Sequence, residues 1–166
     1  MPKIIKDAAI SEDNWNVLAL NDEALSASDV SANDVAPLTL WKDAKSNINS
    51  AELGVLLDSS DALDDLLDHL NQLPIIAINF PLFTDGRGYS LARRLRTRYH
   101  YTGDIRAVGD VLLDQLFYMR RCGFSSFSLR DEDQYSNALN YLSTINESYQ
   151  ASGDSRDSIL EKRLKA

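Results

Sequence analysis

Short apolar runs alternate with amphipathic segments along residues 53–145. Leu53-Gly-Val-Leu-Leu57, Ile75 to Phe80, Asp104-Ile-Arg-Ala-Val-Gly-Asp110 and Phe124 to Leu129 have the length and composition of strands. Each is followed by helical periodicity. Leu63, Leu66, Leu67 and Leu70 predict a helix over 62–70, capped by Ser60 or Asp61. Residues 91–99 predict a second, with Ser90 at N-cap spacing. Leu112, Leu113, Leu116, Phe117 and Met119 predict a third over 111–122, stopped by Gly123. Tyr135, Ala138, Leu139, Leu142 and Ile145 predict a fourth, with Asp131 as its cap. Four strand-helix units with short connections imply parallel pairing and right-handed crossovers. The expected fold is α/β with a mainly parallel sheet, either an open doubly wound sheet or a half-barrel. A full barrel needs a longer chain.

The first fifty residues follow another pattern. Ile4-Ile5 and Trp15-Asn-Val-Leu18 predict a β-hairpin, with Ser11-Glu-Asp-Asn14 as its turn. Residues 21–34 are rich in Asp, Ser and Ala and read as loop. Leu38-Thr-Leu-Trp41, after Pro37, predicts a strand. One domain is expected over 1–146, made of the hairpin and loop in 1–50 and the strand-helix repeats in 51–146. Residues 147–166 read as a polar, disordered tail.

Composition narrows the class. No apolar run approaches the roughly 20 residues of a membrane span. Residues 1–7 lack the apolar stretch of an export signal, and the single cysteine, Cys122, forms no internal disulfide. A cytoplasmic setting without membrane attachment is the simple expectation.

The charge is unevenly placed. The chain carries 17 Lys and Arg against 25 Asp and Glu, a formal −8. Residues 87–121 hold eight arginines and three aspartates, a local +5, whereas residues 46–86 contain no Lys or Arg. An acidic body argues against nucleic-acid binding. The basic sector (Arg93, Arg94, Arg96, Arg98, Arg120, Arg121) either pairs with the acidic helices or faces an anionic partner, such as an acidic protein surface or a small anion.

In a parallel sheet the loops after the strands share one edge. Asp58, Ser59 and Ser60, then residues 84–90, then Asp110, then Arg130 and Asp131 should therefore converge. Thr84, Asp85, Gly86, Arg87, Gly88, Ser90, Arg106 and Asp110 form the candidate anion site. The helix N-termini supply backbone N–H groups, and the glycines allow close approach. Arg106 sits inside an apolar strand and needs a partner: Asp85, Asp114 or a bound anion. Structural readings compete at each position, since Asp85-Gly86 can be a turn, and Ser90, Asp110 and Asp131 can be caps. Cys122 reads as a packing cysteine. His69 and His100 have no metal-ligand spacing. No GxGxxG or GxxxxGK[ST] fingerprint is present. The residues therefore leave catalytic groups and cofactor unassigned.

The segments Phe80-Pro-Leu-Phe-Thr-Asp-Gly-Arg-Gly-Tyr-Ser90, Ala92-Arg-Arg-Leu-Arg96, Tyr101-Thr-Gly-Asp-Ile-Arg-Ala-Val-Gly-Asp-Val-Leu-Leu-Asp-Gln-Leu116 and Arg121-Cys-Gly-Phe124 resemble the bacterial domain-of-unknown-function family 934. The resemblance runs over residues 35–145 and is densest over 80–124. That family carries the label of an oxidoreductase of sulfite reduction, because its genes tend to adjoin that of the assimilatory sulfite reductase haemoprotein. The resemblance thus implies a role in sulfur assimilation and cysteine biosynthesis, and brings no catalytic residues or cofactor with it. Two expectations follow. One is an accessory protein that binds the reductase through the arginine sector. The other is a small enzyme or carrier for an oxyanion or phosphorylated metabolite at the strand edge. An uncovered parallel edge would favour a homodimer.

Overall fold

The computed structural model describes residues 2–20 and 25–143. The strands are β1 (Lys3–Lys6), β2 (Ala9–Glu12), β3 (Asn16–Val17), β4 (Asp34–Pro37), β5 (Gly54–Leu57), β6 (Ile75–Phe80), β7 (Asp104–Gly109) and β8 (Ser126–Phe127). The α-helices are α1 (Leu38–Ala44), α2 (Arg87–Thr97), α3 (Leu116–Cys122) and α4 (Tyr135–Ser143), with a long 3-10 helix at Asp64–Gln72. All eight strands form one sheet in the order β2-β1-β8-β7-β6-β5-β4-β3.

From β3 to β8 the strands lie side by side in chain order, each parallel to the next. A doubly wound sheet requires that order to reverse part way. It does not reverse, so right-handed crossovers carry their helices to one face and the sheet is a curled half-barrel. The sheet as a whole is mixed rather than mainly parallel. The reason is β1, which pairs antiparallel with β2 on one side and with β8 on the other.

The N-terminal hairpin exists with a different register from the expected one. Its turn is Asp7-Ala8, both at positive φ (51° and 60°), which suits the twist of a two-residue hairpin. Ala8 is a poor residue for that conformation, so the sequence signal was faint. Residues 16–17 leave the hairpin and pair with β4 at the opposite end of the sheet. The expected strand at 38–41 is helix α1, and the strand comes just before it. Pro37 ends β4 and stands at the N-cap of α1 with an extended backbone. The helix predicted over 62–70 is the 3-10 helix. Its leucines at 63 and 66, and at 67, 70 and 73, are three apart, which suits three residues per turn.

The expected caps also change. Helix α2 begins at Arg87, so Ser90 lies inside it. The Asp61 carboxylate accepts from Asp58 N–H at 2.8 Å and caps no helix. The Asp110 carboxylate turns to Phe83 and Arg130. Gly123 does terminate α3, at φ 113°. Ile145 and the predicted tail lie outside the described residues.

The larger core fills the helical face. Alternate residues of β6, Ile76, Ile78 and Phe80, meet Leu66, Leu91, Leu95 and Phe124 there. The other face carries Val35, Leu56, Ile75, Ala77 and Val108, covered by Trp15, Val17 and Leu20. Arg106 belongs to this second face by the period-two rule. It is 1% exposed. Its Nη1 donates to both oxygens of Asp13 at 2.7 Å, and its Nε donates to Ser126 Oγ at 3.2 Å. Asp13 also accepts from Trp15 N–H. The pair thus fastens the segment that covers the inner face. Among the described residues no helix is long and apolar enough to cross a membrane.

Removing one member of a buried ion pair strands the other charge, at a cost of about 3–5 kcal/mol. Arg106→Met and Asp13→Leu should each lose that much stability in urea unfolding. The double variant should recover most of it, since Asp104, which also faces Arg106 at 3.7 Å, keeps Lys6 at 3.7 Å and no buried charge is left alone. Single variants within 1 kcal/mol of the parent, roughly the worth of an exposed pair, would show that the pair does not hold the segment down.

Candidate functional site

The loop after β6 is pinned from several directions. Asp85 N–H donates to Leu82 O at 2.9 Å, closing a turn. Phe83 N–H donates to Asp110 Oδ2 at 2.9 Å. Gln115 Nε2 donates to Phe83 O at 2.7 Å. Ser59 Oγ, from the loop after β5, donates to Asp85 Oδ2 at 2.7 Å. The loops after β5, β6 and β7 are therefore tied into one unit at the C-terminal edge of the strands.

Asp85 is the centre of that unit. Arg87 gives it the backbone N–H at 3.1 Å, Nε at 3.0 Å and Nη2 at 2.7 Å. The Arg87 guanidinium, then the Ser59 hydroxyl, hold the Asp85 carboxyl far below the usual carboxylate range. Asp85 thus fills the N-terminus of α2 and takes the guanidinium that a bound anion would need. The chain supplies its own anion there.

The two glycines differ. A side chain at Gly86 would meet nothing within 4 Å, so the position does not require glycine. A Cβ at Gly88 would stand 2.7 Å from the Phe80 ring, so glycine lets α2 lie close on the sheet. Thr84 and Ser90 are exposed.

Asp110 makes a second closed unit. Its Oδ1 accepts from Arg130 Nη1 at 2.8 Å, and Arg130 also reaches Asp131 at 3.3 Å. Gly109 makes this placement possible. It turns at φ 91°, and a Cβ would stand 2.4 Å from Phe80 O. Arg106, expected with Asp85, Arg87 and Asp110, is not with them. It lies two strand positions or more from that edge, on the inner face, held by Asp13. The candidate anion site is thus divided: Asp85 with Arg87, Asp110 with Arg130, and Arg106 elsewhere.

What this edge does present is apolar. Leu82 is 62% exposed and Phe83 is 47% exposed. Nearby, Tyr118 on α3 is exposed and stacks on Tyr89 of α2 at 5.2 Å between ring centres. Tyr89 continues to Phe80 at 5.3 Å and Phe124 at 6.5 Å. Burial pushes the Tyr89 hydroxyl up to about 12, so it stays neutral.

The six arginines of the basic sector have separate duties. Arg96 is consumed by the fold. Its Nε donates to Gly123 O at 2.9 Å, and its Nη1 donates to Tyr101 O at 2.6 Å and Gly103 O at 2.8 Å. Arg120 and Arg121 are half-buried, with Arg120 donating to Leu142 O at 3.5 Å. Arg93 and Arg94 are exposed on α2, and Arg98 is exposed just past its end. None of the three has a carboxylate within ion-pair distance among the described residues, and Arg98 lies over the Tyr99 ring at 5.5 Å.

Sequence reasoning missed Asp13 as the partner of Arg106, because residues 11–14 were read as a turn. The missed apolar surface left a trace in the run Phe80-Pro-Leu-Phe83, where two large apolar residues follow a proline that ends a strand.

A family model described as bacterial protein of unknown function (DUF934) matches residues 54–160, and the chain belongs to that family. The matched region holds every member of the candidate site and leaves out Asp13. No curated protein matches the chain.

Three variants test this geometry. Gly109→Ala should lose about 2 kcal/mol or more in denaturant unfolding, through strain and the Phe80 O contact. Gly86→Ala should stay within about 0.5 kcal/mol of the parent. A carboxylate with a depressed folded pKa stabilises above its unfolded value, near 3.9, and loses that contribution as pH falls through the folded value. Asp85→Asn should therefore lower the melting temperature at pH 7. Its deficit should shrink as scans move below about pH 4. A deficit independent of pH would refute the charge assignment.

Proposed function

We propose that this member of the DUF934 family is a cytoplasmic accessory protein of assimilatory sulfite reduction, binding the sulfite reductase haemoprotein rather than turning over a substrate. The sulfur link rests on what the resemblance over residues 35–145 implies. One observation favours binding over chemistry: the chain spends polar contacts from three loops and from Gln115, just before α3, on holding Leu82 and Phe83 in water. A loop held this firmly with apolar side chains outward has no reason within the fold. Rigid, exposed aromatic and aliphatic anchors suit insertion into an apolar pocket of a partner. Arg93 and Arg94 on the adjoining helix, with Arg98 just past its end, supply a basic rim for an acidic partner surface. The alternative oxyanion site receives less support, because its arginines are matched by the chain's own carboxylates.

The test is the affinity of the purified chain for purified sulfite reductase. Leu82→Ser with Phe83→Ser should weaken binding by roughly 30-fold or more, the loss expected of hot-spot anchors of about 2 kcal/mol. The melting temperature should barely move, since both side chains are exposed. Arg93→Glu with Arg94→Glu should weaken binding at low salt, and should flatten the fall in affinity as salt rises, because exposed charges are screened beyond about 10 Å at 0.1 M. No binding by the parent chain at micromolar concentration would remove the proposal. Unchanged binding by the double serine variant would move the interface elsewhere.

A further inference from the structure

A separate cleft of about 430 Å³ lies at the opposite edge of the sheet, between the end of α1 and the 3-10 helix Asp64–Gln72. Trp41, Lys45, Ile48, His69 and Leu73 line it. The Trp41 ring is buried and meets His69 edge-on at 5.4 Å. Lys45 Nζ stands 4.9 Å from the centre of that ring and 2.9 Å from His69 Nε2. An ammonium only donates, so Nε2 is the acceptor in this contact.

Lys45 differs from its neighbour Lys42. Lys42 pairs with Asp65. Lys45 has no carboxylate within ion-pair distance among the described residues. Beneath it, the buried Trp41 Nε1–H has no acceptor, although a buried indole N–H ordinarily finds one. The ammonium keeps two unused N–H bonds and the indole keeps one. Among the described residues neither donor group has a carboxylate partner, and the indole N–H is shielded from solvent.

We propose that this cleft binds a small monocarboxylate with an apolar body. Lys45 holds the carboxylate, the Trp41 indole N–H donates to it, and Ile48 and Leu73 pack the body. The class follows from the surroundings. Lys45 is the one Lys or Arg among the residues that line the cleft. A doubly charged sulfate or phosphate would need more donors than these. The indole N–H is out of solvent contact, so binding draws the Lys45 ammonium off His69 and across to the ligand.

The chain has two tryptophans, Trp15 and Trp41, so its amide spectrum resolves two indole N–H signals. Sodium benzoate should shift the Trp41 signal saturably and leave that of Trp15 in place. Benzamide, the neutral isostere, should shift neither. Lys45→Met should raise the benzoate dissociation constant roughly tenfold or more, with the folded Trp41 signal retained. A shift that never saturates, an equal response to benzamide, or tighter saturation by inorganic sulfate would each overturn the proposal. Should Lys45→Met fail to fold, the benzoate and benzamide titrations of the native chain decide by themselves.

Discussion

The inner face of a half-barrel sheet must be covered, and one ion pair fastens its cover. Strands β3 to β8 progress in one direction, so their crossovers bury only the outer face against helices. The inner face is left to a segment of eight residues, 13–20, of which Trp15, Val17 and Leu20 pack on it. Such a segment has too few contacts to stay down on hydrophobic burial alone. Arg106 and Asp13, 93 positions apart in the chain, fix its start to the middle of the sheet. Asp104 and Ser126 complete the polar surroundings: Ser126 Oγ donates to Asp104 at 2.9 Å, and Arg106 Nη2 lies 3.7 Å from the same carboxylate. The hairpin of β1 and β2 and the parallel strand β3 diverge from this point to opposite ends of the sheet.

The arginine-rich sector divides by the same logic of satisfied and unsatisfied groups. Arg96 answers carbonyls at the end of α3 and ahead of β7, groups that no backbone N–H reaches. Burial lowers its pKa, yet a guanidinium remains charged and keeps its donors directed at those oxygens. Arg87 and Arg130 answer carboxylates at the strand edge. Arg93, Arg94 and Arg98 answer nothing charged among the described residues, and all three are exposed. A basic sector on an acidic chain is therefore partly mortar and partly surface. Only the three-dimensional arrangement separates the two.

Much of the candidate site was legible as residues and little as relationships. The strand edge gathers Ser59, Asp85, Arg87, Asp110 and Arg130, as the strand-helix alternation implies. The role assigned to them changes, because Asp85 occupies the α2 N-terminus that was expected to hold a ligand. Aspartate two residues ahead of arginine is equally consistent with a turn, an anion site and a closed pair. Side-chain direction decides among these, and a linear pattern carries no such direction. Leu82 and Phe83 escaped notice for a related reason. Apolar residues usually go inward, and their exposure follows only from polar contacts made by their own backbone to Asp110 and Gln115.

Local periodicity by itself determined the α/β class, the strands at 54–57, 75–80 and 104–109, and the glycine end of α3. These depend on interactions within a few residues, so neighbouring positions carry the whole signal. Tertiary structure decided the rest. It chose the half-barrel over the doubly wound sheet, moved residues 16–17 to the far edge, turned 38–41 into helix, and gave Arg106 to Asp13. Each of those outcomes rests on contacts between segments far apart in the chain. Their free energy comes from burying a particular charge or face against a particular partner, and no local pattern encodes which partner will be nearest.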